Sequence, residues 1–218
     1  DKRINQPYMD KKVSKDLITG EIRALKKRKI TEETCRKFNY QVGRYQGRPV
    51  QIANYYKDGM ITGQKLRTPG KEFKTLGDMK TLELFGQHLW RNKGGKRIII
   101  TEGEIDCLTF AQVFNLNWPV VSVPHGAQSA KKYIKRHLEF LEGYDEIVLA
   151  FDGDTEGKKA VDECALLFTP GKVKVVSYPE GHKDANSMLQ AGLIDKIAPL
   201  VFNAKTYRPD GILEGNDL

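Results

Sequence analysis

Two short acidic segments carry the chemistry in this 218-residue sequence: T-E-G-E-I-D at 101–106 and F-D-G-D-T-E-G at 151–157. Each follows an apolar run, so Glu102, Asp152 and Asp154 are expected just past the ends of two strands, with Glu104, Asp106 and Glu156 nearby. Neighbouring strands lie about 5 Å apart, and if these two are neighbours the carboxylates converge on one spot. Converging carboxylates repel, and each pKa unit of displacement costs about 1.4 kcal/mol unless a cation neutralises them. A hard divalent ion answers that charge: Mg²⁺, or Mn²⁺ in its place, takes oxygen ligands from one or two carboxylates and completes its shell with waters and substrate phosphates. Chemistry on phosphates is then a matter of positioning and charge. The plainer reading, that Asp152 and Asp154 end a strand and cap a helix at Glu156, suits one Asp-x-Asp. It does not account for Glu-Gly-Glu and Asp-Gly-Asp each following an apolar strand.

Basic residues fall where such a site would use them. Lys65, Arg67, Lys71 and Lys74 lie within ten positions ahead of the acidic segments, either as solvated loop charges or as a cleft wall that neutralises phosphates. His125-Gly126 ends a strand and leads to Ser129, Lys131 and Lys132 at the start of an expected helix, where free N–H groups favour an anion. A buried histidine is the alternative for His125. Tyr55, Tyr56, Phe85 and Trp90 are core or stacking residues, and no role is assigned to them.

The elements that must hold these residues can be read from the apolar pattern. Strands are expected at 97–101, 120–123, 146–151 and 172–177, alternating with stretches of helical length. Runs such as IIIT and IVLAF are apolar on successive residues, which suits strands covered on both faces in a parallel sheet. Sites in such sheets lie beyond the carboxyl ends of the strands. Upstream, Thr31 is expected to cap a short helix carrying Glu32 and Glu33 in its first turn and ending near Phe38. Residues 40–73 read as short strands, with Asp58-Gly59 the strongest hairpin signal and Lys65 and Arg67 on one strand face.

Thirty-six Lys+Arg against 28 Asp+Glu give a net charge of +8, which favours a polyanionic partner. Part of that charge is the cluster Arg23, Lys26, Lys27, Arg28 and Lys29 in an N-terminal stretch poor in large apolar residues. Cys35, Cys107 and Cys164 are odd in number and far apart, so neither a disulfide framework nor a Cys-x-x-Cys zinc site can be read from them. No apolar run approaches the roughly 20 residues that span a bilayer, and no membrane partner is expected. Gly153 to Lys159 imitates a phosphate loop but has three residues between its glycines instead of four, and Lys where Ser or Thr belongs.

The two acidic segments, together with QKLRTPGKEFKTLG, LFGQHLW, VVSVPHGAQSAKK, GKVKV and KDAN, resemble the Toprim-type primases, and more narrowly the RNA-polymerase domain of T-odd phage bifunctional primase-helicases, over roughly 47–186. The resemblance implies an α/β fold: a C-terminal Toprim subdomain, Rossmann-like with a mainly parallel four-stranded sheet (95–205), after a small N-terminal α+β subdomain (1–94). Residues 206–218 would be a linker toward a helicase domain this chain lacks. It implies Glu102, Asp152 and Asp154 as catalytic residues, the same three with Asp184 as Mg²⁺ ligands, and Lys65, Arg67, Lys71, Lys74, His125, Ser129, Lys131 and Lys132 as nucleotide or template contacts. It further implies DNA-dependent synthesis of RNA primers during phage replication in the cytoplasm of the infected host. The partners would be single-stranded DNA, ribonucleoside triphosphates, the RNA primer, and the helicase and zinc-binding domains of a longer protein, with no zinc held here. A Toprim nuclease or topoisomerase, or a non-catalytic single-stranded DNA-binding module, would use parts of the same pattern.

Overall fold

In the computed structural model, which describes residues 16–70, 72–90 and 94–209, Thr31 caps the first helix. Its side chain accepts the Thr34 N–H, and Glu32 and Glu33 occupy the positive end of α1 (Glu32–Lys37). Four antiparallel strands follow, in spatial order β1 (Gln41–Tyr45), β2 (Arg48–Lys57), β3 (Met60–Arg67) and β4 (Phe73–Gly77). Asp58 (φ 50°) and Gly59 (φ 83°) are both left-handed, as a tight β2–β3 turn demands of its two central residues. Lys65 and Arg67 face the same way as their partners Ala53 and Gln51 on β2 and Thr75 and Phe73 on β4. The other face carries Ile52 and Leu66, which form a small core with Val50.

The C-terminal layer runs β5 (Gly95–Thr101), α2 (Glu104–Val113), β6 (Val120–Ser122), α3 (Ala127–Arg136), α4 (Leu138–Glu142), β7 (Tyr144–Ala150), α5 (Thr155–Ala165), β8 (Val173–Val175), α6 (Ala185–Gln190), α7 (Ile194–Phe202) and β9 (Lys205–Thr206). Its sheet order is β6-β5-β7-β8-β9, and the first four strands are parallel. Ile98, Ile99, Ile100, Ile147, Val148 and Leu149 are all 0% exposed, which is why the apolar runs do not alternate. The sheet has five strands and not the four expected from sequence, because β9 adds an antiparallel edge through Lys174↔Thr206 and Val175↔Lys205. Both β9 residues are exposed, so no apolar pattern announced them. Thr206 and Tyr207, expected to begin a linker, are still tied to this sheet, the latter by its N–H to the Val173 carbonyl at 2.8 Å. No described helix is long and apolar enough to cross a membrane.

Phe85 joins the two layers. It exchanges two backbone hydrogen bonds with Ser122 of β6 (3.0 and 3.1 Å), while its buried ring meets Phe38, Tyr40 and Tyr55 from the N-terminal part. One continuous buried cluster accordingly extends from Leu25 to Val201. Phe85→Ala is expected to cost about 3–5 kcal/mol, the usual loss for a buried phenylalanine. In urea, circular dichroism and tryptophan fluorescence of the wild type should trace one coincident transition, and in the variant that transition should move to lower denaturant.

Candidate active site

β5 and β7 pair directly, Thr101 opposite Ala150, so the segments that follow them leave the sheet side by side. Glu102 accepts N–H groups from Asp152 (3.4 Å) and from Ala127, the first residue of α3. The helix N-terminus expected to receive a substrate anion therefore already holds a carboxylate of the protein. Gly126 makes this approach with φ 73°, and a Cβ there would come within 3.4 Å of Glu102 Oε1. Asp106, in the first turn of α2, accepts the Asn186 N–H at 2.9 Å. Asp184 caps α6 by accepting the Ser187 N–H at 2.7 Å, and Asp152 accepts from Lys183 Nζ at 2.6 Å.

One oxygen each from Asp106, Asp152 and Asp184 lies within 4.8 Å of the others, the only such trio among the described residues. Burial pushes the Asp106 carboxyl up to about 7, helped by the Asp184 charge. Burial also raises Glu102, with Asp152 adding to it, and raises Asp152 despite the Lys183 ammonium beside it. An all-carboxylate donor set, three acids against the one Lys183 ammonium and free of Cys and His, fits a hard divalent cation.

Asp154 stands beside the trio, near enough for its charge to raise Glu102 and Asp152. Its exposed side chain caps α5 by accepting the Gly157 N–H at 2.9 Å, and it is not one of the trio. A Cβ on Gly157 would sit 2.1 Å from the Asp152 carbonyl oxygen, so this glycine lets α5 start directly against the acidic residue. The apparent phosphate loop is thus a capped helix start. Asp106, whose sequence position suggested only proximity, takes part because α2 begins at Glu104 and turns its first turn back toward the strand ends.

These carboxylates line a cleft of about 410 Å³ whose other wall is the N-terminal sheet, with Lys65, Arg67, Arg28, His125 and Lys183 also facing it. Lys65 and Glu104, whose side chains are 10% and 8% exposed, form an ion pair at 3.0 Å. Lys65 Nζ also donates to the Pro124 carbonyl (2.8 Å), and Tyr55 OH donates to Glu104 (2.5 Å). His125 stands at the rim beside Tyr133, largely open to solvent, and partial desolvation of its ring, then Lys65, lowers its pKa. Lys74 pairs with Leu66 on the opposite sheet face, its ammonium 4.8 Å from the Tyr45 ring. Ser129 turns within the first turn of α3, while Lys131 and Lys132 are exposed on that helix, and none of the three lines the cleft. Lys71 lies outside the described residues. Arg28, from the basic N-terminal cluster, reaches the cleft by donating to Asn186 Oδ1 at 3.3 Å, a long-range contact that no local pattern announced. Lys183 and Asn186 had a signal in the K-D-A-N stretch, although it singled out Asp184 alone.

Two family models match: the N-terminal α+β fold of the bacteriophage T7 DNA helicase/primase over residues 20–77, and the Toprim-like family over 99–189. The first extends the likeness upstream of residue 47. The DNA helicase/primase of enterobacteria phage T3 is 40% identical over 200 residues, which is 91% of this chain but 35% of that protein, so the chain spans about a third of this relative's length. Among solved structures, the primase fragment of the bacteriophage T7 primase-helicase superposes with a TM-score of 0.78 at 42% identity, covering 84% of this chain and 75% of the other. A chain from a T7 assembly, in which primase domains are bound to an RNA/DNA hybrid and dTTP, superposes with a TM-score of 0.80 at 42% identity over 86% and 94% of the two chains. The DnaG catalytic core, 15% identical with a TM-score of 0.59, shares the fold.

The raised Asp106 carboxyl sets a pH dependence. Its folded-state value of about 7 lies above the ordinary 3.8, so the unfolded chain sheds that proton first as pH rises, and stability falls between about pH 4 and 7. Asp106→Asn without divalent metal should therefore melt higher than the wild type at pH 8, the difference closing toward pH 4. Adding Mg²⁺ at pH 8 should raise the melting temperature of the wild type more than that of the variant.

Proposed function

The chain belongs to the T7-type phage DNA helicase/primase family and corresponds to its primase part. On that premise we propose that it is the catalytic core of a DNA-dependent RNA polymerase, making short RNA primers on single-stranded DNA for phage replication in the cytoplasm of the infected cell. The observation that carries this reading is the trio Asp106, Asp152 and Asp184 facing a wall that bears Lys65 and Arg67 across one cleft.

The primer 3′-hydroxyl would attack the α-phosphorus of a ribonucleoside triphosphate, forming the new P–O bond as pyrophosphate leaves. Asp106, Asp152 and Asp184 are the residues to hold Mg²⁺ or Mn²⁺, which would neutralise charge on the phosphates and lower the barrier electrostatically. Glu102 is oriented by two backbone N–H groups and has a raised pKa, which suits it to accept the proton of the attacking hydroxyl. Arg67 offers positive charge to template or triphosphate oxygens, and Lys65 is held at the same wall by Glu104 and Pro124. His125, which lines the cleft at its rim, would add a further nucleotide contact. Asp154 contributes by fixing the start of α5 beside Asp152. The helicase and zinc-binding domains of a longer protein are the expected covalent neighbours.

The test supplies a preformed diribonucleotide on a complementary single-stranded DNA template, with labelled ribonucleotide and Mg²⁺, and scores one-nucleotide extension. Ion-mediated charge stabilisation is worth several kcal/mol, so Asp152→Asn is expected to slow extension by about 10²–10³-fold or more. Metal-dependent cleavage of the template without extension would make the protein a nuclease instead. Unchanged extension by the variant would remove Asp152 from the mechanism.

A further inference from the structure

Phe73 is an apolar ring in an unusual place. It is 54% exposed and packs in neither of the two buried clusters, so no burial explains a phenylalanine there. Met60, Leu166, Ile194 and Phe202 are comparably exposed, yet of these five only Phe73 lines the cleft. The aromatic residues that a sequence reader would nominate for stacking are engaged: Tyr55, Phe85 and Trp90 are buried, and Tyr56 lies 3.7 Å from the His88 ring.

Two cations stand near the ring. Phe73 sits opposite Arg67 and diagonal to Lys65, whose charged groups lie 5.5 and 4.7 Å from its centroid. Both neighbours come from β3. Among the described residues β4 is an edge of its sheet, with no strand paired beyond it. An exposed aromatic ring beside cations, at the mouth of a cleft, is the arrangement with which proteins hold single-stranded nucleic acid: the ring accepts any base face, and the cations take the adjoining phosphates.

We propose that Phe73 is a stacking platform for a base of the single-stranded template, with Arg67 taking a phosphate next to that base. The proposal rests on the primase reading and deepens it. The carboxylates at the opposite wall deal with the triphosphate, and Phe73, on the edge strand of the facing sheet, meets the strand that must be read.

The test uses the whole 218-residue chain and a labelled single-stranded DNA of about 16 nucleotides, a length within the range such grooves cover. Affinity is followed by fluorescence anisotropy without nucleotides. Phe73→Leu keeps apolar bulk without a π face, and Phe73→Trp keeps the face. The leucine variant is expected to bind about 5- to 150-fold more weakly, the range for loss of one stacked base, and the tryptophan variant at least as tightly as the wild type. Because no charge is removed, the dependence of log affinity on log salt should keep its slope in both, whereas Arg67→Gln should flatten it by about 0.7. 2-Aminopurine placed at successive template positions should be quenched at one of them by the wild type and by Phe73→Trp, and stay bright with Phe73→Leu. Matching urea midpoints for wild type and Phe73→Leu would show that the loss is not one of folding.

Equal binding by wild type and Phe73→Leu, or quenching that survives in the leucine variant, overturns the platform even where diribonucleotide extension succeeds. Stacking by these criteria without extension leaves the platform standing and overturns the primase reading. A wild type that does not bind single-stranded DNA overturns both.

Discussion

Mutual repulsion among Asp106, Asp152 and Asp184 is the constraint around which the site is built. Three carboxylates with oxygens inside 4.8 Å stay together only because each is fixed from elsewhere: Asp106 by α2 and the Asn186 N–H, Asp184 by capping α6, and Asp152 by its position after β7 and by Lys183. Folding thus concentrates negative charge that the isolated chain would disperse. The raised carboxyls of Asp106, Asp152 and Glu102 express their burial first and this concentration of charge second, and both are relieved by a divalent cation.

The facing wall is built on the opposite principle. Lys65 is enclosed by Glu104 and the Pro124 carbonyl, and Glu104 is bonded in turn by Tyr55, so a chain of polar contacts runs from the N-terminal sheet into the first turn of α2. Removing any one member would strand another in a place with little water, and such networks hold their geometry more firmly than single surface pairs do. Arg67 and Phe73, two register pairs further along, lie where the wall opens to solvent. The cleft therefore grades from an enclosed ion pair to an accessible cation and ring.

Much of the C-terminal layer was legible because buried parallel strands write themselves as unbroken apolar runs. Ile98–Ile100 and Ile147–Leu149 are of this kind, and the acidic residues follow them directly. What could not be read depended on side-chain direction or distance along the chain. The D-x-D spacing says nothing of which aspartate turns toward Asp184 and which caps α5. Alternation did place Lys65 and Arg67 on one face, but Lys74 belongs to the next strand, and only its register with Leu66 sends it to the far side. Arg28 meets Asn186 across 158 positions, and β9 has no buried residue to betray it. Tyr55 and Phe85 carried no local sign of being core, since an aromatic residue next to a turn suits either a core or a binding face.

The Phe85 bridge to Ser122 has a mechanical meaning beyond its energy. Because the layers share one core, moving the walls of the cleft apart would break the Phe85–Ser122 bonds and expose buried apolar residues. An opening stroke between the walls would therefore cost the burial of that shared core. Catalytic alignment is inherited from the core, so a lineage of such proteins is not free to exchange residues around Phe85 without also retuning the distance between its acidic and basic walls.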